Sequence, residues 1–156
     1  EFFAGLAERD MELRREYCDI GEEERRRNRE RSVLSALGDW LGRLDREQRT
    51  QVRGHLQAID ANGCDWLATR ASFRARLRQL VDTHATDPRY EARLARLLTH
   101  PQEHWDPAYR ARYDANGDVV VAMLAELDRT LSERQRARLG AKLRRYALDF
   151  RELAAI

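Results

Sequence analysis

Lysine is almost missing from this chain: Lys142 stands alone against 28 arginines. Strand-forming residues are scarce too, with Val, Ile and Thr totalling 15 of 156, too few to furnish a sheet core. No apolar run approaches the roughly 20 residues that a membrane-spanning helix needs. The two cysteines form no CxxC pair and have no His at a local motif spacing. Neither a GxSxG elbow, a Gly-rich phosphate loop nor a Ser/His/Asp order can be read, so catalytic and cofactor-binding residues are expected to be none.

What is present is helix-forming. Leu, Ala, Arg, Glu and Lys make up 84 of the 156 residues, a share that marks a chain of long helices. The larger apolar residues number 45, enough for a helical core. Although 36% of residues are charged, Lys+Arg 29 against Asp+Glu 27 nets only +2. That balance argues against a disordered polyelectrolyte and against a nucleic-acid partner. The near-replacement of Lys by Arg is read as codon bias rather than phosphate recognition.

Period and punctuation predict seven helices with short connections, an all-α bundle in one domain over 1–156. The first covers about 2–18, with Phe2, Phe3, Leu6, Leu13 and Tyr17 on one stripe. The second, about 22–44, opens on Glu22-Glu23-Glu24 and carries Val33, Leu37, Trp40, Leu41 and Leu44. Asp45 caps a third with Val52, Leu56 and Ile59, ended by Asn62-Gly63. The fourth, from about Asp65, aligns Trp66, Phe73, Leu77, Leu80 and His84. Asp87-Pro88 opens a fifth, and Asp106-Pro107 a sixth with Tyr109, Tyr113, Val120, Leu124 and Leu127. Ser132 caps the seventh, where Leu139, Leu143, Tyr146, Phe150 and Leu153 repeat like a heptad. A helix already under way at Glu1 is expected of a processed or truncated chain.

One internal repeat stands out. Leu44-Asp-Arg-Glu-Gln48 and Leu131-Ser-Glu-Arg-Gln135 share a Leu, a capping residue and a Gln three positions after the cap. That spacing is a capping box, and a structural device is the expected reading.

Other constellations fall to plainer explanations. His100 and His104 are interrupted by Pro101 and have no evident third ligand, so no metal site is expected. Asp114-Ala-Asn116-Gly117-Asp118 imitates an EF-hand start but offers Val119 and Ala125 where Gly and Glu are needed. Asp60-Ala-Asn62-Gly63 fails likewise. The first copy is expected to end a helix and the second to be bridged by one. In Glu22–Arg27 each Glu meets an Arg three positions on, which stiffens a solvated face by a few tenths of a kcal/mol per pair. Two basic stripes are less balanced: Arg70, Arg74 and Arg78, and Arg134, Arg138, Lys142 and Arg145. Both are candidate contacts for an anionic partner surface. The residues leave open whether Cys18 and Cys64, each beside a helix boundary, form a disulfide or stay reduced.

Several local patterns occur together in order: Arg14-Arg15-Glu16-Tyr17, Glu23-Glu24-Arg25-Arg26, Trp40-Leu41-Gly42-Arg43-Leu44, His100-Pro101 with Trp105, Pro107-Ala108-Tyr109, and Leu131-Ser132-Glu133-Arg134-Gln135-Arg136. In these the chain resembles the C-terminal two-thirds of a family of proteobacterial lipoproteins that is known as a domain of unknown function. The resemblance implies a longer, lipid-anchored precursor and a periplasm-facing domain on the bacterial envelope. It also implies an oxidising compartment, which favours a Cys18–Cys64 bridge. It supplies no catalytic residues. More faintly, the two Leu-x-x-x-Gln segments are similar to the Leu-Thr-x-x-Gln motif of periplasmic stress chaperones, with Asp45 and Ser132 in place of Thr.

The expectation is a non-enzymatic, envelope-tethered module that binds other envelope proteins, as an adaptor or chaperone-like protein, without cofactor. The alternative is a hydrolase or lyase acting on envelope polymer through helix-borne carboxylates. Besides the basic stripes, Trp105 and Tyr109 are candidate interface anchors, since Trp, Tyr and Arg are the usual ones. Trp66, aligned with Phe73 and Leu77, is expected in the core.

Overall fold

The computed structural model describes residues 2–155, without the side chains of Phe2, Phe3, Ala4 and Ala7, so the start of the first apolar stripe lies outside the described residues. Among those residues the fold is all-α, 81% helical with seven α-helices and no strand. The helices are α1 (Phe2–Tyr17), α2 (Glu22–Leu41), α3 (Arg46–Leu56), α4 (Gly63–Asp82), α5 (Tyr90–Thr99), α6 (Pro107–Arg129) and α7 (Glu133–Ala154), with a 3-10 turn at Pro101–His104.

Boundaries differ from expectation where glycine acts. Helix α2 stops at Leu41 because Gly42 takes φ +82°, a conformation L side chains rarely adopt. Helix α3 ends at Leu56, well before Asn62-Gly63; that pair opens α4 instead of closing α3. A Cβ at Gly63 would sit 3.1 Å from Tyr17 Cβ, so glycine there lets α4 start close against the end of α1. Helix α6 does run unbroken through Asp114–Gly117.

The chain divides into two compact units. The first holds the chain up to Gly21 together with Asp60–Ala115; the second holds Glu22–Ile59 and the chain from Asn116 onward. Both Asp-Ala-Asn-Gly copies fall where the chain passes between units.

In the second unit, α2 packs on α3 and α7. Its core is Leu37, Leu41, Leu44, Val52, Leu56, Met123 and Leu127, with Val33, Leu34, Ile59, Leu131 and Leu139 packed around it. On α6 the buried stripe is Met123 and Leu127, whereas Val120 and Leu124, expected inward, are exposed. At the edge of this core lie two buried polar side chains, Gln48 and Gln135. Each closes the capping box of its own helix, with Asp45 and Ser132 as the caps. The two amides also bond each other reciprocally: Gln48 Nε2 donates to Gln135 Oε1 and Gln135 Nε2 to Gln48 Oε1, both at 3.0 Å. The remaining amide protons go across the unit, from Gln48 to Thr130 O (3.0 Å) and from Gln135 to Arg43 O (3.2 Å). Thr130 and Arg43 each stand two positions before the other helix's cap, so the arrangement has a local two-fold symmetry. The repeat read as a capping device is one, and it is also the joint between α3 and α7.

Helix C-termini in this unit are closed by cations. Arg29 donates to Ile59 O (2.6 Å) just beyond α3, and Arg136 donates to the Asp128 carbonyl at the end of α6. Carbonyls left open at a helix end carry partial negative charge, which makes guanidinium a natural partner.

In the first unit, α1 packs on α4 and α4 on α5. Buried residues are Leu13, Leu67, Leu80, Leu97 and Tyr109. Arg112 reaches Asp65 (2.7 Å). Cys18 and Cys64 are joined as a disulfide with Cα atoms 5.3 Å apart, tying the end of α1 to the start of α4. The loop it closes spans 46 positions and contains all of α2 and α3.

Two stability predictions follow from these contacts. Gln48→Ala should cost about 3 kcal/mol, because Gln135 loses its two bonds to that amide, and the Asp45 N–H and the Thr130 carbonyl lose the partners that Gln48 gives them. The double variant with Gln135→Ala should cost clearly less than the two single losses added, and additive losses in denaturant unfolding would refute the coupling. Cys18→Ser should lower the stability to unfolding under oxidising conditions, by up to about 4 kcal/mol in the chain-entropy picture. Added reductant should then bring the parent chain to the level of the variant, and a reductant-insensitive parent would count against the bond.

Candidate functional site

The first basic stripe is engaged within the chain. Arg70 Nε lies 2.9 Å from Asp10 Oδ1 and Arg74 Nη2 lies 2.5 Å from Asp10 Oδ2, so two guanidiniums on α4 grip one carboxylate on α1. Arg74 also donates to Leu6 O (2.7 Å). Arg78 meets Asp82 on its own helix at 3.9 Å. Arg70 and Arg74 thus hold the α1–α4 pair together, whereas Arg78 is paired within α4.

The second stripe is divided. Arg138 and Lys142 both donate to Asp39 O, at 3.3 and 3.2 Å, one of the last carbonyls of α2. Arg138 Cδ also lies within ordinary van der Waals contact, 3.5 Å, of where a Cβ at position 42 would stand. Lys142 Nζ sits 4.6 Å from the Trp40 ring centroid, a cation–π contact. Arg134 and Arg145 are exposed. Half of the stripe therefore serves α2, and half faces solvent.

The candidate aromatics also sort differently from expectation. Tyr109 is 3% exposed and belongs to the core of the first unit, so it is no interface anchor. Trp105 is half-buried, edge-on to Tyr109 (5.2 Å) and Tyr113 (4.9 Å), and the cluster secures the start of α6. Burial pushes the Tyr109 phenol above its ordinary range. Trp66, expected inside, is exposed at 36%, set edge-on to Tyr17 with the Arg70 guanidinium 5.8 Å from its ring. A 3–4 spacing identifies a stripe and does not say how deeply it is covered.

One apolar face, on α7, is left largely open. Leu139 packs at the core, but Leu143, Phe150 and Leu153 are 52%, 67% and 65% exposed. Tyr146 stacks on Trp40 (5.4 Å, 19° between planes) and is still 44% exposed. The alternating four- and three-residue steps from Leu139 to Leu153 give a repeat of 3.5, the seam of a coiled coil. The signal was visible in the sequence, where it reads equally well as a core stripe.

Ionisable chemistry is quieter. Arg96 holds the Glu103 carboxylate below its ordinary range, and the Arg89 backbone N–H does the same for Asp87. His100 Nδ1 lies 2.8 Å from Thr99 Oγ1. Among the described residues, no three His, Cys, Asp or Glu side chains gather as a metal site.

A family described as a family of unknown function (DUF6279) matches residues 3–110, more than two thirds of the chain. The chain belongs to this family. No curated protein and no solved structure matches it. The family match takes in the Asp10 clamp, both cysteines and Gln48; Gln135 and the α7 stripe lie beyond the matched residues.

An ultraviolet alkaline titration should find one phenol ionising later than the others, and Tyr109→Phe should remove it. A folded pKa raised above the unfolded value contributes stability that is full below the unfolded pKa and is lost as pH rises through the folded one. The first unit should accordingly loosen in alkali; an unchanged titration curve in the variant would refute the assignment.

Proposed function

We propose that this chain is a non-enzymatic helical adaptor that binds another envelope protein through α7. In this reading it is part of a longer precursor, lipid-anchored to the bacterial envelope and facing the periplasm. The observation that carries the binding role is the open apolar seam of Leu143, Tyr146, Phe150 and Leu153. Scattered exposed apolar residues are ordinary, but a contiguous row at one helical register marks an interaction face. A repeat of 3.5 residues selects an amphipathic helix as the partner, since only a second helix presents knobs at the matching interval. The ordered motifs shared with the lipoprotein family support the envelope location, and the Cys18–Cys64 pairing is in keeping with an oxidising compartment. A discrete helical partner distinguishes the adaptor from a chaperone-like holder of many clients.

The test is in-cell photocrosslinking of the full-length protein with the probe placed at Phe150 and, for comparison, at Arg110 in the first unit. One dominant product from Phe150, lost when Leu143 and Leu153 are both changed to Glu, is the expected result. A broad ladder of clients growing under unfolding stress would replace the adaptor with the chaperone-like reading. Identical products from both positions would overturn the role of α7.

A further inference from the structure

An open groove in the second unit is walled by α2 and the start of α3. One part, about 470 Å³, is lined by Arg43, Leu44, Asp45, Arg46, Arg49 and Arg53. An adjoining part of about 320 Å³ shares Arg43, Arg49 and Arg53 and continues along Gly38. Volumes of this order are those of small-ligand sites. Four guanidiniums thus face one space against a single lining carboxylate, and Asp45 already accepts the Gln48 backbone N–H through Oδ1 (2.8 Å).

Arginine is so common in this chain that its number alone points nowhere; the gathering of four of them around one space does. Many guanidiniums elsewhere find carboxylates, as in Arg25–Glu22, Arg74–Asp10, Arg96–Glu103 and Arg112–Asp65, and others, such as Arg89, Arg110, Arg134 and Arg145, do not among the described residues. In the groove only Arg53 does, with Glu30 at 2.6 Å. Arg43, Arg46 and Arg49 have no carboxylate partner among the described residues. Their placement is built rather than loose. Arg43 leaves the left-handed turn at Gly42, and its carbonyl is held by Gln135. Arg46, Arg49 and Arg53 follow at three- and four-residue steps on α3, whose first turn is locked by the Asp45–Gln48 capping box. Bringing like charges together without counter-charge costs free energy that an anion would recover, and planar guanidinium forks match phosphate oxygens bidentately.

We propose that this groove binds a phosphate-bearing anion, either a soluble phosphate compound or the headgroup of an anionic lipid. The site is independent of the α7 seam. Two arms tell the sources apart: calorimetric titration with inorganic pyrophosphate, and flotation with vesicles of phosphatidylglycerol or of phosphatidylcholine alone. Binding in the first arm marks a soluble ligand, and binding to phosphatidylglycerol vesicles alone marks a headgroup; either supports the proposal. The Arg43→Gln/Arg49→Gln variant should weaken the observed binding at least about tenfold. The charge-matched Arg89→Gln/Arg110→Gln variant, altered in the first unit, should bind like the parent. Thermal unfolding checks that both variants stay folded. Equal losses in both variants, or no binding by the parent in either arm at low salt, would overturn the proposal.

Discussion

Two glutamine amides out of reach of water set the conditions that the second unit has to meet. An amide in an apolar surround is costly unless its protons and lone pairs are used, so the chain around Gln48 and Gln135 must deliver partners at fixed points. Half of those partners come from the reciprocal amide pair, and the rest from the two cap segments and the carbonyls of Arg43 and Thr130. Turning the Arg43 carbonyl inward requires a sharp exit from α2, which Gly42 provides. The register of α3 against α7 is then set by hydrogen bonds that a slip of one residue would break. Around this joint, Leu44, Val52 and Leu127 supply the apolar burial, which is non-directional and could not choose the register by itself.

Arginine is the other organising feature, and its roles are mostly internal. Arg70 and Arg74 bind α1 to α4 through Asp10, while Arg29, Arg136, Arg138 and Lys142 satisfy carbonyls at helix ends. A guanidinium suits this work because it offers several donors on a long stem and keeps its charge. Once those internal uses are set aside, the arginines left without a carboxylate include three that line the groove beside α3. The charged surface is thus a residue of the internal accounting, and its gaps are more informative than its total.

The helices and their order were legible in the residues, as were the two capping boxes, because caps and apolar spacing act over three or four positions. Within that range local chemistry decides: Asp45 and Ser132 stop the chain from being anything but a helix start. The family resemblance was also legible, in short motifs spread along the chain in order, and residues 3–110 bear it out at the level of a family of unknown function. The candidate site was less so. Tyr109 and Trp66 exchanged places because a spacing of three and four marks a side of a helix, and the depth of cover on that side depends on which other helix lies there. The use of Arg70 and Arg74 was hidden for the same reason: Asp10, their shared partner, lies 60 positions from Arg70 in the sequence.

The sequence by itself determined an all-α fold, the helix starts, the balance of charge and the family. Only the tertiary structure decided that Gln48 meets Gln135, that Arg70 and Arg74 are spent on α1, that the helices gather in two units and that the second half of α7 lacks a cover. The physical reason is the range of the forces involved. Helix initiation and capping are settled between neighbours along the chain. Burial and ion pairing are settled between surfaces, and a surface is either covered or left open by residues that no local pattern names.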